Sequence, residues 1–300
     1  MRRALSVHFT PCALFVAGVF ALVRAGSFSG PSDWRAVWPE RPMAELALIG
    51  TVSVCAALLS LLLQPFQVRA VRVLEGYWDR WSATARLAGV LAEVQRRRYV
   101  SLREKAAGID PVAVDARRRL AARPPVEVLL PTALGNALRA GELSAGERYG
   151  LTTLSSWPRI HMQVSPRMSE ALRSTRDALD TAVNLCWSFL ALTVVLAFAL
   201  CDEPRLIWLP LGSLVVSAIA YKGAVIAAQA YSGLMHVVFD LHRFDLLEAL
   251  HHPLPVGRKD EEHLFGQVSR FFAGSVTSDL PYEHGDRGSG PHDADSAAEA

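Results

Sequence analysis

Eight side chains between Leu129 and Ile160, in LLPTALGNALRAGELSAGERYGLTTLSSWPRI, could do chemistry together: Thr132, Asn136, Arg139, Glu142, Arg148, Tyr149, Trp157 and Arg159. Guanidinium groups, an amide, a carboxylate and aromatic rings can bind an anion, orient a substrate or move a proton. The same groups can lock a loop beneath a membrane, with arginines meeting phosphates or helix ends. The locking role is preferred. The chain has no Ser-His-Asp order, Walker loop, HExxH or dinucleotide fingerprint to favour catalysis. No catalytic, cofactor-binding or metal-binding residue is therefore assigned, and no cofactor is expected. Whether the protein is an enzyme stays open, with the balance against it.

Local spacing gives this stretch a shape. Thr132 follows Pro131 and can cap a short helix over ALGNALRAGEL. Asn136, Arg139 and Leu143 lie three or four residues apart and share a face, and Arg139 can pair with Glu142. Gly135 permits close helix approach, Gly150 marks a break, and WPR at 157–159 makes a proline elbow. His251, His252 and His263 read as surface histidines rather than metal ligands. Cys12, Cys55, Cys186 and Cys201 lie in or beside apolar runs and read as small packing residues.

What must position these groups is a set of apolar helices. Half of the 300 residues are hydrophobic (51%), and charged residues make up only 20%. The net charge of +2 gives no reason to expect a nucleic-acid partner. Residues 6–23, 46–63, 183–200 and about 206–220 are each long and uncharged enough to cross a bilayer. The first follows Met-Arg-Arg and has two readings, a retained helix or a cleaved signal peptide over 1–25. The short loop before the second span favours retention.

Charge sets the expected orientation. Residues 65–182 hold 19 Lys/Arg against 12 Asp/Glu, net +7, whereas 221–300 hold 6 against 12, net −6. Arg2, Arg3, Arg69, Arg72, Arg80 and Arg86 flank the first two spans and belong on the cytoplasmic side. The expectation is a multi-pass plasma-membrane protein with both termini cytoplasmic. Its outer loops are GSFSGPSDWRAVWPERP and CDEPR, with Trp34, Trp38 and Trp208 in the outer interface.

Between the spans, one helix is expected over about 68–107. It carries a stripe of Leu74, Trp78, Trp81, Ala85, Ala88, Leu91, Tyr99 and Leu102 that needs a partner. Asp110 and Pro111 start another helix, Pro124 and Pro125 stop it, and VEVLL reads as extended. Ser165 and Pro166 start a helix that runs into the third span. The fourth span continues through AYSGLMHVVFDLHRFDLLEAL, and KDEEHLFGQVSRFF makes a last helix. The fold class is thus an all-α integral membrane protein with two transmembrane helical hairpins. Its parts are a first hairpin (1–66), a cytoplasmic helical region (67–182) containing the polar segment 129–160, a second hairpin (183–222), cytoplasmic C-terminal helices (223–273) and a disordered tail (274–300).

LEGYW at 74–78, LPTALGNALRAGE at 130–142, RYGL at 148–151, WPR at 157–159 and FDLHR at 239–243 resemble the motifs of a family of uncharacterised bacterial multi-pass membrane proteins. The resemblance covers most of the chain beyond the first span. It implies location and topology, and no activity. The family pattern places an Asp after RYGL, where this chain has Thr152.

The function expected from these readings is that of a non-enzymatic structural or interaction protein working through its cytoplasmic helices. Its partners are the lipid bilayer and either a second copy or a cytoplasmic protein. The alternatives are an oligomeric channel or transporter and, less favoured, a membrane-bound enzyme using residues 132–159. A channel would need several copies, because no charged residue lies mid-span.

Overall fold

The computed structural model describes residues 2–78, 82–274 and 282. Every regular element among the described residues is helical. Ten α-helices are α1 (Arg2–Ala25), α2 (Pro42–Leu63), α3 (Gln67–Glu75), α4 (Ser82–Ala106), α5 (Pro111–Ala121), α6 (Ala133–Glu142), α7 (Thr153–Ile160), α8 (Pro166–Ala199), α9 (Trp208–Ala249) and α10 (Arg258–Phe272). Short 3-10 turns lie between several of them. Four helical stretches, containing α1, α2, α8 and α9, are long and apolar enough to cross a membrane. Leu61, Leu62, Val194, Phe198 and Ile219 on these helices are exposed large hydrophobics. Such a surface suits a lipid environment.

Contacts divide the chain into two compact units, Met1–Glu142 with Arg167–Met235, and Leu143–Pro166 with His236–Ala300. In the first unit, α1 and α2 pack through Cys12, Val16 and Ala56. Gly18 of α1 lies against Leu192 of α8, where a Cβ would come within 2.8 Å of its Cδ1. Leu22 of α1 is buried with Leu196 and Ala199 of α8. Antiparallel α8 and α9 are joined by two serine bonds, Ser213 Oγ to Phe189 O (2.9 Å) and Ser217 Oγ to Cys186 O (2.9 Å). Small polar residues here allow close approach and satisfy their own hydroxyls on the facing backbone. The connections 26–41 and 200–207 meet, because Ser32 N–H donates to Glu203 Oε1 at 2.8 Å.

The single helix expected over 68–107 is broken. α3 ends at Gly76, whose φ of +96° is left-handed and closes a helix C-terminus. A second chain segment also fills the space there: a Cβ on Gly76 would lie 2.4 Å from Pro131 Cγ. Of the expected stripe, Trp81 falls outside the described residues. The remaining α4 positions Ala88, Leu91, Tyr99 and Leu102 are half-buried, and Gln95 between them is buried. α4 packs on α5, which contributes the buried Ala113 and Ala116, while Ala88 faces the segment around Gly76 and Pro131. Asp110 caps α5 by accepting from Ala113 N–H (3.0 Å). Arg117 closes the α4–α5 turn by donating to Ala106 O (2.9 Å) and Gly108 O (2.5 Å). The run read as extended holds a 3-10 turn, Val126–Val128, capped by Pro125, and among the described residues there is no strand to pair with it.

The second unit contains α7, α10 and the end of α9 from His236. Its core holds Leu151, Ile160, Phe239, Leu246, Leu247, Phe265 and Val268. The expected proline elbow is absent. Pro158 lies inside α7, near its end, so only one ladder bond is lost and the helix runs on into the 3-10 turn His161–Gln163. α8 begins at Pro166, α9 runs without interruption for 42 residues, and α10 forms as the sequence indicates. The expected disordered tail, apart from Gly274 and Tyr282, lies outside the described residues.

Candidate functional site

The eight polar-segment residues fall into two groups. Thr132, Asn136, Arg139 and Glu142 belong to the first unit, and Arg148, Tyr149, Trp157 and Arg159 to the second.

In the first unit, α6 docks onto the end of α3. Thr132 Oγ1 donates to Glu75 O (2.7 Å) and accepts from Gly135 N–H (3.0 Å), so one hydroxyl closes α3 and caps α6. Gly135 sits flat on that carbonyl; a Cβ there would lie 2.1 Å from Glu75 O. Asn136 is buried and spends its whole amide on one residue. Its Oδ1 accepts from Leu130 N–H (2.7 Å), and its Nδ2 donates to Leu130 O (2.8 Å). The far side of α6 is held by Ser232 Oγ donating to Ala137 O (2.6 Å), where Gly141 leaves room for Ser232. Tyr221 accepts from Leu134 N–H (3.3 Å). Apolar contacts complete the joint through Val71, Leu134, Leu138, Leu179, Val183 and Ala228.

Beside this joint lies a charged cluster. Burial lifts the Glu142 carboxyl above its ordinary value of 4.5, against the opposing pull of Arg139, Arg176 and Arg72. Among charged neighbours, Glu75 feels repulsion from Glu142 most strongly, with Arg176 and Arg72 offsetting it. The Tyr77 phenol is raised chiefly by burial and is also subject to Arg139, Glu142, Glu75 and Arg72. Arg139 also lines an open groove with Gly76, Tyr77, Trp78, Ala88 and Pro131. The sequence reading had singled out Arg139 and Glu142 and missed Arg72, Glu75 and Arg176. Glu75 had a signal, its place in LEGYW. Arg72 and Arg176 had none, since nothing in their own neighbourhoods points to α6.

In the second unit several polar groups meet other side chains. Asp240 takes an ion pair from Arg148 and a hydrogen bond from Tyr149 Oη (2.5 Å). Burial and then that bond raise the Tyr149 phenol. Arg243 lies over the Tyr149 and Phe244 rings, with its guanidinium carbon 4.3 Å from each centroid, and pairs with Glu261 at 2.7 Å. Trp157 stacks on Phe239 with centroids 6.3 Å apart, and Arg159 lies 3.9 Å over the Phe272 ring. Thr152 donates its backbone N–H to Ser269 Oγ (2.9 Å). Glu147 accepts from Thr153 N–H (3.0 Å) and Thr153 Oγ1 (2.6 Å), fixing the start of α7. Among the described residues no cluster of His, Cys, Asp and Glu has the arrangement to hold a metal ion. Comparison with protein-family models, curated proteins and solved structures returns no match.

Proposed function

We propose that the protein is a non-enzymatic, multi-pass membrane protein, of the bacterial family its motifs resemble, that engages the anionic lipid surface of the cytoplasmic leaflet through α4 and α5. Two transmembrane hairpins, α1–α2 and α8–α9, carry these helices, with both termini cytoplasmic. The polar segment supports a non-enzymatic reading, because its side chains turn onto backbone groups and each other rather than converging on one pocket.

The observation that carries the proposal is the outer face of α4. Leu87, Val90 and Val94 are 52%, 63% and 38% exposed and lie one above another, on a different side of α4 from the half-buried Ala88, Leu91, Tyr99 and Leu102 and the buried Gln95. Arg97 continues the row one turn on. Residues 82–123 hold ten Lys/Arg against four Asp/Glu, net +6. An apolar row set among arginines suits a headgroup surface, where each basic residue contributes about 1 kcal/mol. A second copy fits less well. α5 already packs on α4, where the stripe called for a partner, and two +6 surfaces repel. The tether also favours the membrane: α3, the nine-residue helix after the span, adds only about 14 Å.

An environment-sensitive fluorophore on Val90→Cys, in full-length protein with its other cysteines replaced, tests this. In discs of phosphatidylcholine with added phosphatidylglycerol, emission should shift to the blue and iodide quenching should fall. High salt and Arg97→Glu should reverse both. Equal spectra in neutral and anionic discs, or a shift that grows with protein density instead of anionic lipid, would reject the lipid surface. Orientation has its own check. An impermeant maleimide should reach a cysteine at Ser29 in intact cells and miss one at Ser101. The exposed native Cys201 must be replaced first, because the same topology places it outside.

A further inference from the structure

A cavity of about 320 Å³ lies between α1, the end of α2, the start of α3 and α8. Two of its three walls share one gradient. On α1 the lining runs from His8 to Phe15, on α8 from Asn184 to Ala191, and on the α2–α3 segment from Gln67 back to Leu59. Each pair is seven or eight residues apart, about 10 Å along a helix. On α1 and α8 the polar His8 and Asn184 stand at one end and Phe15 and Ala191 at the other; the α2–α3 wall sets Gln67 beside them and is otherwise apolar except for Ser60.

The polar end is unfinished. Gln67 Nε2 is buried without a hydrogen-bond partner. Asn184 Nδ2 donates to His8 Nδ1 (3.0 Å) and reaches Val7 O (3.4 Å). The His8 ring itself lines the cavity beside this amide. Trp187 Nε1 is already spent on Ala70 O (3.2 Å). A buried amide donor without an acceptor is costly, and a cavity beside it gives room for one. The cavity is the size of a small ligand site, apolar in the main with a few placed polar groups.

We infer that this cavity binds the acyl chain of an amphiphile, with a carboxylate or ester carbonyl oxygen accepting from Gln67 Nε2. The chain lies along Cys12, Phe15, Leu59 and Ala191. A free fatty acid and an acyl phospholipid share this chemistry. The inference rests on the membrane reading above only for where its ligand comes from.

Photolabelling of the full-length protein in discs tests it, with a diazirine palmitate and with phosphatidylglycerol carrying the same diazirine chain. At least one probe should label peptides containing Cys12–Phe15 and Asn184–Ala191 well above the exposed Leu61 and Phe198. Its unlabelled counterpart should compete, and the probe that does so identifies the source. Ala191→Trp, or Ser188→Phe if that variant does not fold, should abolish the labelling by filling the space. Gln67→Leu should weaken it about three- to tenfold, the worth of one hydrogen bond, and leave the ligand-free protein at least as heat-stable as wild type. Labelling that matches the exposed positions, or that survives both filling and Gln67→Leu, overturns the inference. So does a destabilised Gln67→Leu protein, which would make Gln67 a structural partner. Release from membranes by alkaline wash would instead overturn the membrane reading.

Discussion

The two halves of the polar stretch solve the same problem by different means. In 129–142 the buried amide and the capping hydroxyl serve the backbone: Asn136 satisfies both groups of Leu130, and Thr132 ties α3 to α6. In 143–160 and the helices that pack with it, the charged side chains make ion pairs and hydrogen bonds with one another, as in Arg148 and Tyr149 on Asp240 and Arg243 on Glu261, beside backbone bonds such as Thr153 N–H to Glu147. A backbone carbonyl cannot be mutated away, whereas a carboxylate can. The first arrangement should therefore be irreplaceable at one residue, and the second removable as a pair.

The largest effect expected is at Arg243. Its side chain and that of Glu261 are 18% and 14% exposed, so the pair is mostly shielded. Arg243→Ala leaves Glu261 without its partner and removes the stacking on Tyr149 and Phe244, and should cost about 3–5 kcal/mol. Arg243→Met with Glu261→Leu should recover much of that loss, because no buried charge remains. Thermal unfolding of the two singles and the double in mild detergent measures this. A double as unstable as Arg243→Ala alone would mean that the stacking, not the ion pair, holds this unit together.

Asn136→Ala comes next, at about 2–4 kcal/mol, because it strands two buried backbone groups. No second substitution should restore it, since the abandoned groups belong to the main chain of Leu130. Asn136→Asp keeps an acceptor for Leu130 N–H but sets a charge against Leu130 O, so it should remain well below wild type. A second-site side-chain change that rescued Asn136→Ala would erase the contrast between the two halves.

The same contrast explains what the sequence made legible. Helix starts at Asp110–Pro111 and Ser165–Pro166, the Thr132 cap and the Gly150 break are local devices, and each could be found from a few neighbouring residues. The four apolar stretches were equally plain. The break at Gly76 was less so, because an isolated glycine in a helical pattern is tolerated. What decides it is Pro131, 55 residues away, filling the space where a side chain would go. Pro158 misled for another reason: α7 is short, and the helix has only two residues left to make after the one bond the proline removes. The partners of Glu142 and Asp240 depend on which helices meet, and no period or spacing carries that information.

The smallest effect expected concerns Glu142, and its sign is the informative part. Burial raises its carboxyl above 4.5 in the folded protein, more than Arg139, Arg176 and Arg72 lower it. The folded chain therefore holds this proton more tightly than the unfolded chain does. The stabilising contribution is complete below the ordinary carboxylate value and is lost as pH rises through the raised one. Glu142→Gln mimics the protonated form at every pH and also relieves the repulsion on Glu75. Comparison of melting temperatures should show the variant close to wild type below pH 4.5, increasingly the more stable of the two between 4.5 and the raised value, and ahead by a constant margin above it. Titrations shared by both proteins cancel in that difference. If the three arginines instead outweighed burial, the difference would run the other way, and Glu142→Gln would be the less stable protein at neutral pH. The first unit would then depend on a side-chain ion pair as the second does, and the distinction between the two halves would rest on Asn136 and Thr132 alone.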